Sequence, residues 1–430
     1  MGTGNAAWML TSASLVLLMT PGVAFFYGGM VRAKAVLNML MLSAGAMAVT
    51  SIVWVFWGWS IAYAGSDIGG IFGDPATGFL LKDTMVADQG TFTAAAASAS
   101  GNGYPASIDV AFQTTFAIIT VALISGALAE RIKYSTWMIF VALWITFDYA
   151  PMAHMVWNGG LLSGDGAISQ AIGAAAHDFA GGTVVHINAA VAALVIVLII
   201  GKRKGFNKQP IRPHNVPFVM LGAFLLWFGW FGFNAGSAFG ANGTAGYAWV
   251  STTAATAAAM LSWGFTEKIR NGHYTAMGAA SGMVAGLVAI TPAADVVSPL
   301  WAMVLGAIAG VFTCFACGWK FKLGYDDSLD VVGVHGVGGV TGTVLIGLFG
   351  EGTGLFAGGD WRQLVVQICI ALVAILYSGV ITAIIAFALE KTIGWRVTEA
   401  QEVSGVDLVD QGERAYDFAG TASSVLKELK

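Results

Sequence analysis

Long apolar runs, each closed by basic or turn-forming residues, recur along the chain. A membrane span needs about 20 apolar residues. Eleven stretches reach roughly that length, at residues 8–31, 36–64, 109–130, 135–157, 178–201, 215–238, 249–267, 274–292, 299–320, 330–350 and 361–390. Those at 249–267 and 274–292 are rich in Ala and Thr rather than Leu, and Pro21-Gly22 predicts a kink in the first. The pattern predicts an all-α membrane protein with 11 transmembrane helices over residues 1–394. A polar tail follows at 395–430.

Charge fixes the orientation. With the N-terminus outside, the outer segments hold only Lys82 and Arg362, leaving 18 of the 20 Lys and Arg on the inner side. An invented or missed span would scramble that split. The C-terminus is then cytoplasmic. The N-terminal run lacks a basic leader segment, its first cation being Arg32, so it reads as a span rather than a signal peptide. Ala6 stands where a myristoylation pattern wants Ser or Thr.

Composition sharpens the class. The chain is 57% hydrophobic and 10% charged, against about 25% charge in soluble domains. A net charge of −4 argues against a nucleic-acid partner. About half of the 57 glycines sit inside apolar runs, where small residues let helices approach closely. Cys314 and Cys317 have metal-ligand spacing, but nothing nearby completes a site, and with Cys369 they read as packing residues. No cofactor, metal or enzymatic centre is indicated. The Gly-, Ala- and Ser-rich loop at 65–108 reads as a surface segment. The tail reads equally as a solvated segment and as a docking segment for a soluble regulator.

Two spans carry buried histidines. In DFAGGTVVHINAA, His186 follows Asp178 at a depth of roughly 12 Å along a helix. DVVGVHGVGG repeats the theme with Asp330 and His335. An ionisable side chain at such depth points to a substrate or ion path. The motifs lie in the fifth and tenth spans, so the two units insert in opposite directions. That parity predicts two inverted five-helix repeats plus a final helix, with one histidine from each half at similar depth. Asp178 reads as an N-cap, chiefly structural, with a carboxylate near the pore mouth. Asp327 and Asp330 read as caps or loop acids. His154 reads as interfacial, and His177, His214 and His273 as surface residues. Asp148 is an intramembrane acid expected to reach the outer interface, Tyr149 or a neighbouring helix. Phe112 and Phe116 share one helix face, as do Trp230, Phe233 and Ser237, while Trp157 ends the fourth span.

The runs FFYGGMVRAK, GALAERI, YAPMAHMVWNGG, DFAGGTVVHINAA, WFGWFGFNAGSA and DVVGVHGVGG resemble the ammonium transporter family (Amt/Mep/Rh), in its order, over nearly the whole chain. The resemblance implies a homotrimer of eleven-helix protomers in the plasma (inner) membrane, each with a pore between inverted halves. It implies that Trp157, Ser237 and Phe112 recruit ammonium, that Phe116 and Phe233 stack as a gate, and that His186 and His335 line the pore. Asp178 matches the acid that activity requires. The tail resembles those that dock a PII-type (GlnK-like) signalling protein. Asp148, usually uncharged in the family, and a longer loop from Asn158 to His177 depart from the pattern.

Ammonium and potassium are alike in size and charge, but only ammonium can shed a proton and cross an apolar lumen, where a full charge meets a large desolvation barrier. The expected function is recruitment of NH4+, deprotonation, and conduction of NH3 past the histidines, with the proton moved separately, so that net uptake is electrogenic. Ammonium or ammonia is the passenger, with methylammonium open, and lipid is the surrounding solvent. An electroneutral NH3 gas channel, a proton-coupled carrier for another solute, and an ammonium sensor with limited transport are the alternatives.

Overall fold

The computed structural model describes residues 2–82, 84, 103–209 and 211–416. Its frame is helical: α1 Thr3–Met30, α2 Val36–Gly58, α3 Ala106–Leu128, α4 Tyr134–Trp157, α5 Gly182–Ile200, α6 Val216–Ala238, α7 Gly243–Asn271, α8 Ala276–Ala293, α9 Pro299–Leu323, α10 Val332–Phe349 and α11 Trp361–Thr392. Ten of these are long and apolar enough to cross a membrane; α7, though 29 residues long, is not among the ten. Its Ala and Thr content dilutes the apolar signal, as the sequence indicates for 249–267. Among the described residues the one sheet is a short hairpin, β1 Asp67–Ile68 against β2 Phe72–Gly73. The Ala- and Ser-rich part of the 65–108 loop and the end of the tail lie outside the described residues.

Local chemistry ends the helices where polar residues punctuate the apolar runs. Asn215, Asn242, Thr275 and Ser298 accept hydrogen bonds from the backbone N–H groups of Phe218, Ala245, Gly278 and Trp301, each satisfying a donor that the first turn leaves open. Gly201 and Gly272 stop α5 and α7 at positive φ, a conformation that L side chains resist.

Packing joins α1 to α3 and α6, α7 to α8 and α9, and α11 to α5 and α10. Apolar side chains face both ways. Trp54, Trp137 and Phe233 are buried, whereas Leu198, Leu261, Leu376 and Ile384 are exposed on the outer surface. Lipid is as apolar as those side chains, so helices associate by close packing rather than by escape from water. Gly342 of α10 lies against the Ala289 carbonyl of α8, and Gly306 of α9 against the Ala255 carbonyl of α7; an added Cβ at either would overlap that backbone.

The acid of the second motif is Asp327 rather than Asp330. The head of α10 is capped by Asp327, whose carboxylate accepts from the N–H groups of Val331 (3.0 Å) and Val332 (2.8 Å). Asp330 instead takes φ 64° and pairs with Lys320 at 2.8 Å. The matching motif is therefore Asp178–His186 and Asp327–His335, with the histidine eight positions after the acid in each. His154, near the outer end of α4, is buried, with Nδ1 3.2 Å from the Ala62 carbonyl and Nε2 2.8 Å from Asp67 Oδ1. Of Asp148's three expected surroundings, the neighbouring helix holds: Thr382 of α11 donates to its carboxylate at 3.3 Å.

Candidate functional site: a gated path past two histidines

The helix bearing His186 begins at Gly182, four residues later than Asp178. Asp178 nevertheless caps it. One carboxylate oxygen accepts from the N–H of Gly181 (2.8 Å) and Gly182 (2.6 Å), and the other from the N–H of Thr183 (2.8 Å) and its hydroxyl. A carboxylate surrounded by donors is strongly held, and removing it would orphan several buried N–H groups. The Asp178 carbonyl accepts from the indole N–H of Trp157 at 2.8 Å. The acid thus sets both the start of α5 and the position of Trp157.

Trp157 forms one wall of a cavity of about 190 Å³, facing Ser237, Phe116, Gln113 and Asp109. The Ser237 hydroxyl donates to the Phe233 carbonyl at 2.8 Å, leaving its lone pairs as acceptors. Phe112 supports this cavity from behind, its ring 4.8 Å from that of Phe116 and edge-on to Phe239 at 5.8 Å. Asp178 and Phe112 are not among the lining residues.

Beneath the cavity, Phe116 and Phe233 stack at 4.1 Å with 16° between their planes. The next layer holds the histidines, with His186 Nδ1 3.3 Å from His335 Nδ1. One of these nitrogens must donate and the other accept, so the two rings take complementary tautomers. Around them lies a cavity of only about 10 Å³, walled by Tyr27, Val185, Trp230 and Phe233, roughly the space of a single water. Nearby polar tips are tied back: Trp230 donates its indole N–H to Thr291 at 2.9 Å, and Tyr27 its hydroxyl hydrogen to the Leu123 carbonyl at 3.2 Å. The imidazoles are the polar surface left at this level, and His186 Nε2 has no hydrogen-bond partner among the described residues.

The backbone widens where these side chains emerge. Gly182–Ile187, Val332–Gly336 and Phe231–Ala235, which carry His186, His335 and Phe233, are π-turns, a geometry common at functional sites. Beyond the histidines opens a third cavity, of about 690 Å³, lined by Arg203, Lys208, Lys320 and Asp330. Beside it is a buried ion network: Asp326 meets Arg131 (3.0 Å) and Arg203 (2.9 Å), and Glu130 meets Arg203 (3.3 Å) and Arg32 (2.8 Å). The two arginines hold the Asp326 carboxyl below its ordinary range against the opposing effect of burial.

Sequence reading passed over Trp59, Tyr63, Asp109, Gln113, Asn158, Phe179 and Phe239, all of which line the upper cavity. For Asp109 and Gln113 a signal existed, since 109, 112, 113 and 116 share one helical face. For Phe239 there was none, because its φ of 51° turns the chain in a way the apolar run does not reveal.

A profile of the Ammonium Transporter Family matches residues 7–416. A protein of Mycobacterium bovis named ammonium transporter is 52% identical over 442 residues, covering 98% of this chain and 92% of its own length. Among solved structures, one titled Sensor Amt Protein superposes with a TM-score of 0.84 at 27% identity, covering 95% of this chain and 98% of that one. Candida albicans Mep2 superposes at 0.82 with 31% identity, covering 93% and 87%. With ten apolar helices long enough to cross a membrane, this is a multi-pass membrane protein, and the chain belongs to the ammonium transporter family, a family of transporters rather than enzymes.

Proposed function

We propose that the protein takes up ammonium by stripping its proton at the phenyl gate and passing ammonia between His186 and His335. The carrying observation is the twin-histidine layer: two imidazoles 3.3 Å apart below a stacked phenyl pair, in a space of about 10 Å³. A hydrated cation does not fit such a space, and a bare one loses its solvation. Ammonium is held first among Trp157, Ser237 and the Phe112-backed wall, where aromatic faces and a hydroxyl suit a small cation. Asp178 acts there by fixing Trp157 and α5. The proton travels separately along the imidazole pair with water, so net transport carries charge.

The same reading has α7 as the eleventh crossing, the N-terminus outside and the C-terminus cytoplasmic. The shared eight-residue spacing of Asp178–His186 and Asp327–His335 supports inverted five-helix halves. A homotrimer in the plasma (inner) membrane, and a PII-type partner at the Arg203 side, follow from family resemblance.

Currents from proteoliposomes test this. Wild type should carry an ammonium-evoked current and no potassium current, and His186→Ala should admit potassium. Labelled ammonium uptake with no charge movement would replace the electrogenic scheme by an electroneutral ammonia channel. An unchanged ammonium and potassium response in His186→Ala would reduce the histidines to packing.

A further inference from the structure

Among the described residues, the cavity above the gate is lined by one acidic side chain and no Lys or Arg. Asp109 belongs to the first turn of α3, and 109, 113 and 116 bring it onto the same wall as Gln113 and the gate residue Phe116. It is 3% exposed, and its Oδ1 accepts from the Tyr104 hydroxyl at 2.8 Å. Gln113 is fixed in turn, its Oε1 accepting from the Tyr63 hydroxyl at 2.8 Å. A carboxylate set by a tyrosine in a mostly aromatic pocket faces little competing water, so its field on a nearby cation is weakly screened.

We propose that Asp109 is the anionic member of the outer recruitment site, setting how tightly a monovalent ammonium-class cation is held above the Phe116–Phe233 gate. Trp157 and Ser237 recognise shape and N–H groups, while Asp109 supplies charge. The inference rests on the reading that ammonium is recruited in this cavity. A carboxylate at the first turn also complements the α3 dipole, and that role acts on stability rather than on affinity.

The test uses full-length protein in proteoliposomes, with initial current measured against ammonium concentration. Asp109→Asn should raise the half-saturating concentration about tenfold, as expected for losing one charge at close range, while the plateau current changes less than about twofold. Asp109→Ser, a second neutral variant, should move the same way, and Asp109→Glu should stay within about threefold of wild type. Because charge rather than shape is sensed, methylammonium should show the same shift, and raised salt should narrow it. Half-saturation within about twofold of wild type in the neutral variants would overturn the proposal. So would a fall in plateau alone, which marks a helix-terminus role. Trp157→Leu separates the two levels: if it leaves half-saturation unchanged, recruitment in this cavity is itself wrong. If it shifts half-saturation while Asp109→Asn does not, Asp109 alone is excluded.

Discussion

Gly181, Gly182 and Thr183 would each present an open N–H at the head of α5, and one carboxylate, Asp178, closes all three. The acid above the buried histidine therefore acts through backbone, by fixing α5 and, through its own carbonyl, Trp157. Its neighbour His177 titrates in a readable way. The imidazole Nε2 lies 2.8 Å from Asp295 Oδ1. Burial disfavours its cation, but the bond to Asp295, the charge of Asp295 and that of Asp178 outweigh this and raise its pKa. A histidine whose folded pKa lies above the unfolded value of about 6.5 stabilises fully below that value, and the contribution disappears as pH rises through the folded pKa. The thermal midpoint of wild type should exceed that of His177→Gln most at about pH 6, and the gap should close by about pH 9. A gap that widens with pH would contradict the ion pair. At this scale much was legible: depth singled out His186 and His335, and spacing put Phe112 with Phe116 and Phe233 with Ser237. The second motif was read from Asp330 rather than Asp327 because two acids three residues apart are equal caps on paper, and only the left-handed φ of Asp330 removes it from that role.

Helices were legible as apolar runs, and their ends less so, since α5 starts at Gly182 although the run begins at 178. The π-turns at His186, His335 and Phe233 were invisible, because widening a turn leaves hydropathy unchanged. What holds the rods together is also poorly encoded by pattern, because in lipid it depends on which glycines meet backbone. Gly342 and Gly246 make the contrast testable. Both are helical, but an added methyl at Gly342 overlaps the Ala289 carbonyl, whereas at Gly246 it meets nothing within 4 Å. Gly342→Ala should destabilise by about 1–3 kcal/mol through overpacking between α8 and α10. Gly246→Ala should be neutral or stabilise by about 0.5–1 kcal/mol through lost chain freedom in the unfolded state. Thermal midpoints of the purified protein in one detergent decide it. Equal effects would mean that α8 and α10 separate without cost.

Across the whole molecule, the segment after α11 ties the chain's loops together. Trp395 is fully buried, its carbonyl accepting from the Lys133 N–H at 2.8 Å, and the Val397 N–H donates to the Arg131 carbonyl at 3.1 Å. Buried Glu402 accepts from the Lys204 N–H at 2.6 Å. Asp407 caps α2, accepting from the N–H groups of Leu37 (3.0 Å) and Asn38 (2.8 Å). The described part of the tail, 395–416, is thus neither freely solvated nor a surface wholly free for a partner. Sequence weighed those two readings evenly because its acids cap helices hundreds of residues away, a pairing no local pattern displays. These anchors touch the α1–α2, α3–α4 and α5–α6 connections, and Arg131 and Arg203 from the latter two enter the ion network beside the large cavity. Displacing the tail would therefore reach the far end of the path. Removing the Asp407 carboxylate leaves two N–H groups of α2 without their acceptor, at about 1–3 kcal/mol for a buried donor. Asp407→Ala should speed amide exchange over 399–411 by about tenfold or more, since local opening follows the free energy lost. Leu408→Ala, altering an exposed side chain next door, should leave exchange unchanged. If exchange over 399–411 is the same in Asp407→Ala as in wild type, the α2 cap does not hold the tail, and the anchoring falls to Trp395 and Glu402.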